Sequence, residues 1–167
     1  SDLNCSSTLR LLDYSRELGV KKFIYSSTGS VYVPKKTEYF EEDLVASRDF
    51  YSLSKYISEK LIMSYSSFFN TLILRFFFIY GPSQDKMLIP NLINSFKLGK
   101  SIFLDGYNGI GLTPIFVEDA VKAIHKCIKL EGNHIINIAG AETTSIRKIS
   151  ETIGDIIGKK PLFEYNE

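Results

Sequence analysis

Residues 51–78, YSLSKYISEKLIMSYSSFFNTLILRFFF, change their period partway along. Leu53, Ile57, Leu61 and Phe68 recur at helical spacing, which predicts a helix from Asp49 or Tyr51 to about Phe69. Residues 71–78 then read as a short buried strand, interrupted by Arg75 and stopped by Tyr80-Gly81-Pro82. Upstream, KKFIYSST (21–28) reads as a second buried strand running into small hydroxyl residues. Strands alternating with helices of this length predict an α/β fold built on a parallel sheet.

The pattern extends in both directions. Leu9, Leu11, Leu12 and Leu18 give an apolar stripe to a first helix that ends near Gly19, a natural C-terminal stop. Residues 33–50 are polar, contain Pro34 and the charged run EYFEED, and read as a long loop of the kind that often carries function. A helix over 87–98 stops at Gly99, and SIFLD (101–105) and PIFV (114–117) read as strands. The segment 118–130 reads as a helix with acids in its first turn and lysines in its last, matching the macrodipole. HIINIAG (134–140) reads as a strand, and Ser145 caps a helix over 146–157.

The chain has 167 residues, 44% of them hydrophobic, enough for one domain with a real core. A net charge of +1 gives no overall pull toward nucleic acid or an anionic membrane, so neither is expected as a partner. No apolar run reaches the 18 or so residues of a membrane span, and the first residues lack the pattern of a signal peptide. Cys5 and Cys127 have no metal-ligand spacing and suit a reducing, cytoplasmic compartment. His125 and His134 are isolated and read as ordinary histidines. The glycines of DGYNGIG (105–111) precede a proline and a strand. No helix N-terminus is therefore available there to face a phosphate, and the run reads as an ordinary loop.

Three Tyr-x-x-x-Lys spacings occur: Tyr32–Lys36, Tyr51–Lys55 and Tyr56–Lys60. A phenol is a poor base at neutral pH unless its phenolate is stabilised. Residues four apart on a helix lie side by side, so Lys55 would place an ammonium beside Tyr51, and the first turn of a helix acts in the same direction. Tyr56–Lys60 is rotated about 140° from that pair and lacks the first-turn position. Tyr32–Lys36 spans Pro34, which disfavours the helix the geometry needs. Spacing alone leaves the choice between the two helical pairs open.

The ordered motifs resemble the extended short-chain dehydrogenase/reductase family, in its UDP-glucose 4-epimerase-like, NAD-dependent epimerase/dehydratase branch. LNCSSTLRLLDYSRELGVKKFIYSSTGSVY (3–32), YSLSKYISE (51–59), LILRFFFIYGP (72–82), IFVEDAVKAI (115–124) and the segment 135–161 all fall at family spacing. The resemblance implies a partial Rossmann-like, doubly wound parallel sheet with a small C-terminal substrate-binding region. Residues 1–82 would be the second half of the dinucleotide-binding domain, and 83–167 mainly the substrate-binding region. It implies that Thr28 is the catalytic hydroxyl, Tyr51 the acid/base, and Lys55 the lysine that also binds the nicotinamide ribose. The backbone at Phe77 would approach the nicotinamide, and Thr28 and Phe78 would face the substrate. NAD or NADP is the implied cofactor, and a sugar or sugar nucleotide the implied substrate. A homodimer through helices near 3–18 and 51–69 is also implied.

Four departures accompany the resemblance. The family's opening glycine-rich βαβ is absent, so the chain reads as a fragment that is inactive by itself. Phe78 stands where many members have an asparagine on the substrate diphosphate, and Leu112-Thr113 where many have Arg-Asp. Val33 replaces the usual glycine after Tyr32. Losing an amide and a cationic fork weakens a diphosphate sugar as substrate. Two alternatives therefore stand beside the epimerase reading: a non-catalytic nucleotide-sensing protein on the same fold, and an NAD(P)H-dependent carbonyl reductase.

Overall fold

The computed structural model describes residues 2–35 and 38–166. It divides into two compact units, one of residues 1–77 with 119–138, the other of 78–118 with 139–167.

In the first unit a π-helical turn, Asp2–Ser6, leads into α1, Ser7–Glu17, which ends at Gly19 with a left-handed φ of 64°. Strands β1, Lys22–Thr28, and β2, Asn70–Phe76, run parallel in register from Lys22 opposite Asn70 to Thr28 opposite Phe76. The five residues Thr71 to Arg75 of β2 are all buried, as a central strand covered on both faces requires. Helix α2, Phe50–Ser64, lies between β1 and β2 in sequence and starts on a capping box. Asp49 accepts the Ser52 N–H at 2.7 Å, and the Ser52 hydroxyl accepts the Asp49 N–H at 3.3 Å.

One feature of α2 differs from the sequence expectation. It stops at Ser64 rather than near Phe69, where Tyr65 packs ring against ring with the exposed Phe68 and the buried Phe69. Phe69 joins Leu12, Ile62 and Ile73 in the core. Two residues of the apolar stripe lie at the surface, Leu53 at 44% exposed and Ile57 at 41%. The buried face is Ser52, Ser54, Ser58, Glu59 and Ile62. Small hydroxyl side chains let the N-terminal turn approach closely, with Asn4 Nδ2 donating to Ser54 Oγ and Ser58 Oγ donating to the Asn4 carbonyl. Leu9, Leu11 and Leu18 of the first predicted stripe are exposed too, and Leu12 alone of the four is buried.

In the second unit, α3, Leu88–Leu98, ends at Gly99 as expected. Strand β3, Ile79–Tyr80, is followed by β4, Ile102–Asp105, β5, Gly111–Leu112, and β6, Ile115–Phe116. Helix α4, Val117–Cys127, begins in this unit and continues in the first, where β7, His134–Ile138, pairs parallel with β2 to give the order β1-β2-β7. Strand β8, Thr144–Ser145, pairs antiparallel with β5. Ser145 Oγ accepts the Lys148 N–H to start α5, Ile146–Ile157. A last strand, β9, Phe163–Asn166, pairs parallel with β4. Leu92, Phe96, Ile102, Leu104 and Ile153 form the core of this unit. Among the described residues, no helix is long and apolar enough to cross a membrane.

Candidate active site

The ends of β1 and β2 and the start of α2 gather most of the predicted site residues in the first unit. Thr28 is the last residue of β1 and caps a short 3₁₀ turn, Gly29–Val31. Its hydroxyl accepts the Ser30 N–H and donates to Ser30 Oγ, each at 3.2 Å. Tyr51 lies in the first turn of α2 with its side chain exposed. One turn later Lys55 reaches back to β1, its Nζ donating to the Ser26 carbonyl at 2.8 Å, two residues before Thr28. The same ammonium lies 4.8 Å above the Tyr25 ring. Burial holds the Lys55 pKa below the ordinary lysine value.

Tyr25 lies on β1 against the Lys55 ammonium. Its pKa is raised, first by burial and further by nearby negative or polar groups that include Glu59 and Tyr51. Its Oη is buried and makes no hydrogen bond of good geometry, although Ser58 lies close enough to oppose part of that rise.

Phe77 follows β2, and its N–H donates to the Ile138 carbonyl. Its ring lies on Gly29, where a Cβ would come within 2.5 Å of the ring atoms, and it packs beside Tyr32 and Tyr39. The tight turn after Thr28 therefore requires glycine at 29 while Phe77 stands where it does. Phe78 opens the second unit with a φ of +42°, an uncommon backbone state for a bulky residue. There it lines a small apolar crevice with Tyr80, Gln84, Leu88, Leu112 and Pro114. Phe78 and Leu112 are the two positions singled out in the sequence as apolar replacements, and both face this crevice. Gln84 Oε1 is buried without a partner.

The other tyrosine–lysine spacings resolve differently. Lys60 Nζ lies 5.1 Å over the Tyr56 ring, a surface cation–π contact. Tyr32 is buried and belongs to a polar network, while Lys36 lies outside the described residues. The loop 105–111 runs into β5 rather than a helix, and so offers no helix N-terminus for a phosphate.

That buried network escaped sequence reasoning. Glu59 accepts from Arg75 Nε at 3.0 Å and Nη2 at 2.6 Å, and from Ser27 Oγ at 2.5 Å. Arg75 Nη1 donates to Tyr32 Oη at 2.7 Å, and Tyr32 Oη donates to Asn137 Oδ1 at 2.8 Å. Burial alone would lower the Arg75 pKa, but the bonds and charge of Glu59, with Tyr32, raise it net. The signal was available: an arginine inside a buried strand needs a partner. Glu59 continues the four-residue spacing of Tyr51 and Lys55.

A family model, the NAD dependent epimerase/dehydratase family, matches residues 1–139. The chain is 34% identical to the uncharacterized UDP-glucose epimerase YtcB of Bacillus subtilis, over 98% of this chain and 54% of that protein. It is 31% identical to a UDP-glucuronate 4-epimerase of Thermodesulfobacterium geofontis, over 98% of this chain and 52% of that protein. The structure is similar to UDP-glucuronic acid 4-epimerase from Bacillus cereus in complex with NAD, with a TM-score of 0.89 and 28% identity. That similarity covers 97% of this chain and 54% of the other. The chain thus spans about half the length of the relatives it matches.

Proposed function

The chain belongs to the NAD dependent epimerase/dehydratase family, and on that premise we propose that it carries the proton-transfer half of a nicotinamide-dependent site acting on a sugar nucleotide or related sugar. Residues 1–82 supply the second half of the dinucleotide-binding domain, and 83–167 mainly the substrate-binding region. The observation that carries the reading is the placement of Lys55: one turn after Tyr51, partly buried, and bonded to β1 two residues before Thr28.

The donor set suits the nicotinamide-ribose part of NAD or NADP. Lys55 has three N–H donors and uses one on Ser26, leaving two for ribose hydroxyls. Thr28 and Tyr51, with the backbone at Phe77, complete that side, at the carboxyl ends of parallel strands where such ligands bind. When bound, the cofactor supplies the hydride acceptor and donor. The chain's own work is to bind, orient and move a proton. Tyr51 Oη takes the proton from the substrate hydroxyl next to the carbon that loses hydride, and returns it in the reverse step. The Lys55 ammonium offsets the phenolate charge, and the Thr28 hydroxyl orients the substrate oxygen. In the full-length gene product, Tyr51→Phe should lower kcat by at least about 100-fold, within the usual range for one acid–base group. Normal turnover of that variant would refute the assignment.

The apolar crevice favours a second reading. Phe78 and Leu112 offer no charge or amide to a diphosphate, which suits an NAD(P)H-dependent carbonyl reductase with an uncharged substrate. Turnover across a panel of sugar nucleotides and uncharged carbonyl compounds separates the two. Cofactor binding without turnover on either set would favour a non-catalytic nucleotide sensor.

The exposed apolar side chains of α1 and α2, among them Leu11, Tyr14, Leu53 and Ile57, suit a homodimer through those helices. Sedimentation velocity of the chain and of Leu53→Glu/Ile57→Glu tests this. A cytoplasmic location agrees with two free cysteines, and fractionation of the source cells tests it.

A further inference from the structure

Among the described residues, Glu59 and Arg75 are the two buried charged side chains, 1% and 3% exposed. Neither belongs to the proton-transfer group, yet both touch the elements that carry it. Glu59 stands two helical turns beyond Tyr51 and one beyond Lys55 on α2. Its carboxylate receives Ser27, the residue before Thr28 on β1, and Arg75, two residues before Phe77 on β2. The free end of Arg75 continues to Tyr32 and the Glu41 carbonyl, and Tyr32 to Asn137 on β7.

Elsewhere α2 is tied to the N-terminal turn through Ser54 and Ser58 and to β1 through Lys55, whereas its polar tie to β2 among the described residues is the Glu59–Arg75 pair. Hydrophobic burial is non-directional, and this helix buries serines while Leu53 and Ile57 face away from the core. A two-pronged carboxylate–guanidinium pair with a third bond from Ser27 permits one axial position.

We propose that Glu59, Arg75 and Ser27 are positioning residues that clamp α2 to the ends of β1 and β2 and so fix Tyr51 and Lys55 against Thr28. The proposal rests on the proton-transfer reading given above. It assigns the buried pair a role in rate as well as in stability, because a displacement of about 1 Å at reacting atoms can cost about 100-fold.

The test uses the full-length gene product, with Glu59→Gln, Ser27→Ala and Tyr51→Phe assayed side by side. Ser27→Ala leaves the ion pair and the Lys55–Ser26 bond in place and cuts only the link from Glu59 to β1, so it serves where Glu59→Gln fails to fold. Expected for Ser27→Ala are a melting temperature within about 5 °C of the parent and a kcat about 10-fold lower. KM for cofactor and substrate should stay within about threefold, and the primary deuterium isotope effect on hydride transfer should rise. A folded Glu59→Gln should lose about 100-fold in kcat with the same pattern. A folded Ser27→Ala variant with unchanged kcat and isotope effect overturns the proposal. So does a kcat that falls only as far as the folded fraction falls. If Tyr51→Phe is inactive while Ser27→Ala is normal, the positioning role fails alone. If Tyr51→Phe turns over normally, the proton-transfer reading fails and the positioning role with it.

Discussion

The Lys55 ammonium lies 4.8 Å above the centre of the Tyr25 ring while donating to the carbonyl of the next residue, Ser26. Strand and helix are therefore joined at this point by one cation and one aromatic face. The phenol oxygen of that same ring is buried and makes no hydrogen bond of good geometry. Tyr25→Phe keeps the ring under Lys55 and removes the unmet hydroxyl. It should stabilise the chain by about 1 kcal/mol, the low end of the usual penalty for an unsatisfied buried polar group. Tyr25→Leu removes the cation–π contact and should destabilise it. Urea unfolding of the three proteins checks both signs.

Lys55 also gives the stability a pH dependence. Burial lowers its folded pKa beneath the ordinary lysine value of 10.5, so below that window the fold holds an ammonium it disfavours. The unfolded chain binds more protons between the two values, and stability must rise with pH there. Tyr25 and Tyr32, whose pKa values are raised, act oppositely near pH 10, so the comparison must isolate the lysine. The difference in unfolding free energy between the parent and Lys55→Met should move in favour of the parent as pH rises toward 10.5. A flat difference from pH 8 to 10.5 would remove burial as the cause.

At the acid end, Asp49 caps α2, and the Ser52 N–H holds its carboxyl below the usual aspartate range. A depressed carboxyl contributes stability that is present above the unfolded value of 3.8 and is lost as pH falls through the folded one. Asp49→Ala should lower the melting temperature at pH 7, and the loss should shrink near pH 3. Hydrogen exchange at Tyr51 and Ser52 should quicken in the variant, because the first turn of α2 loses its cap.

Glu59 and Arg75 should behave as a coupled pair. Glu59→Ala strands a buried guanidinium and should cost about 3–5 kcal/mol, whereas Glu59→Met with Arg75→Met should cost less than either single change. A double-mutant cycle in urea measures the coupling. Additive costs would mean the two side chains stabilise the fold independently.

Phe78 separates the two substrate readings. Asparagine adopts a positive φ more readily than phenylalanine, so Phe78→Asn should fold at least as well as the parent. It also restores an amide to the wall of the crevice. If the full-length gene product acts on a sugar nucleotide, UDP-glucose should bind more tightly to the variant by calorimetry. Equal or weaker binding would favour the uncharged substrate.

Much of this structure could be read from residue order, and the rest depended on contacts that cross long stretches of chain. Gly19, Gly99 and Ser145 mark helix ends by local chemistry, and each stands where the sequence places it. The apolar run Leu72–Leu74 of β2, with no polar residue alternating in it, likewise marks a buried strand. Helix α2 ends early, where three aromatics find ring partners, including Phe23 on β1, which helical periodicity does not register. Its buried serine face carries no signal in a hydrophobic pattern, where leucine and isoleucine outweigh serine, yet the serines admit the close approach of Asn4. Strand β9 pairs with β4 some sixty residues earlier, and nothing local in FEYN announces that partner. At the site, the Tyr51–Lys55 spacing gave a candidate, but the Ser26 and Tyr25 contacts that hold Lys55 required coordinates.

The ring of Phe77 on Gly29 links the fates of two codons. A side chain at 29 would have to displace an aromatic that is packed beside Tyr32 and Tyr39. In a saturation library of single variants, position 29 should accept almost nothing, and that intolerance should relax where position 77 has first become small. The pair would then drift along one permitted path, shrinking at 77 before growing at 29, and the reverse order would be closed to selection.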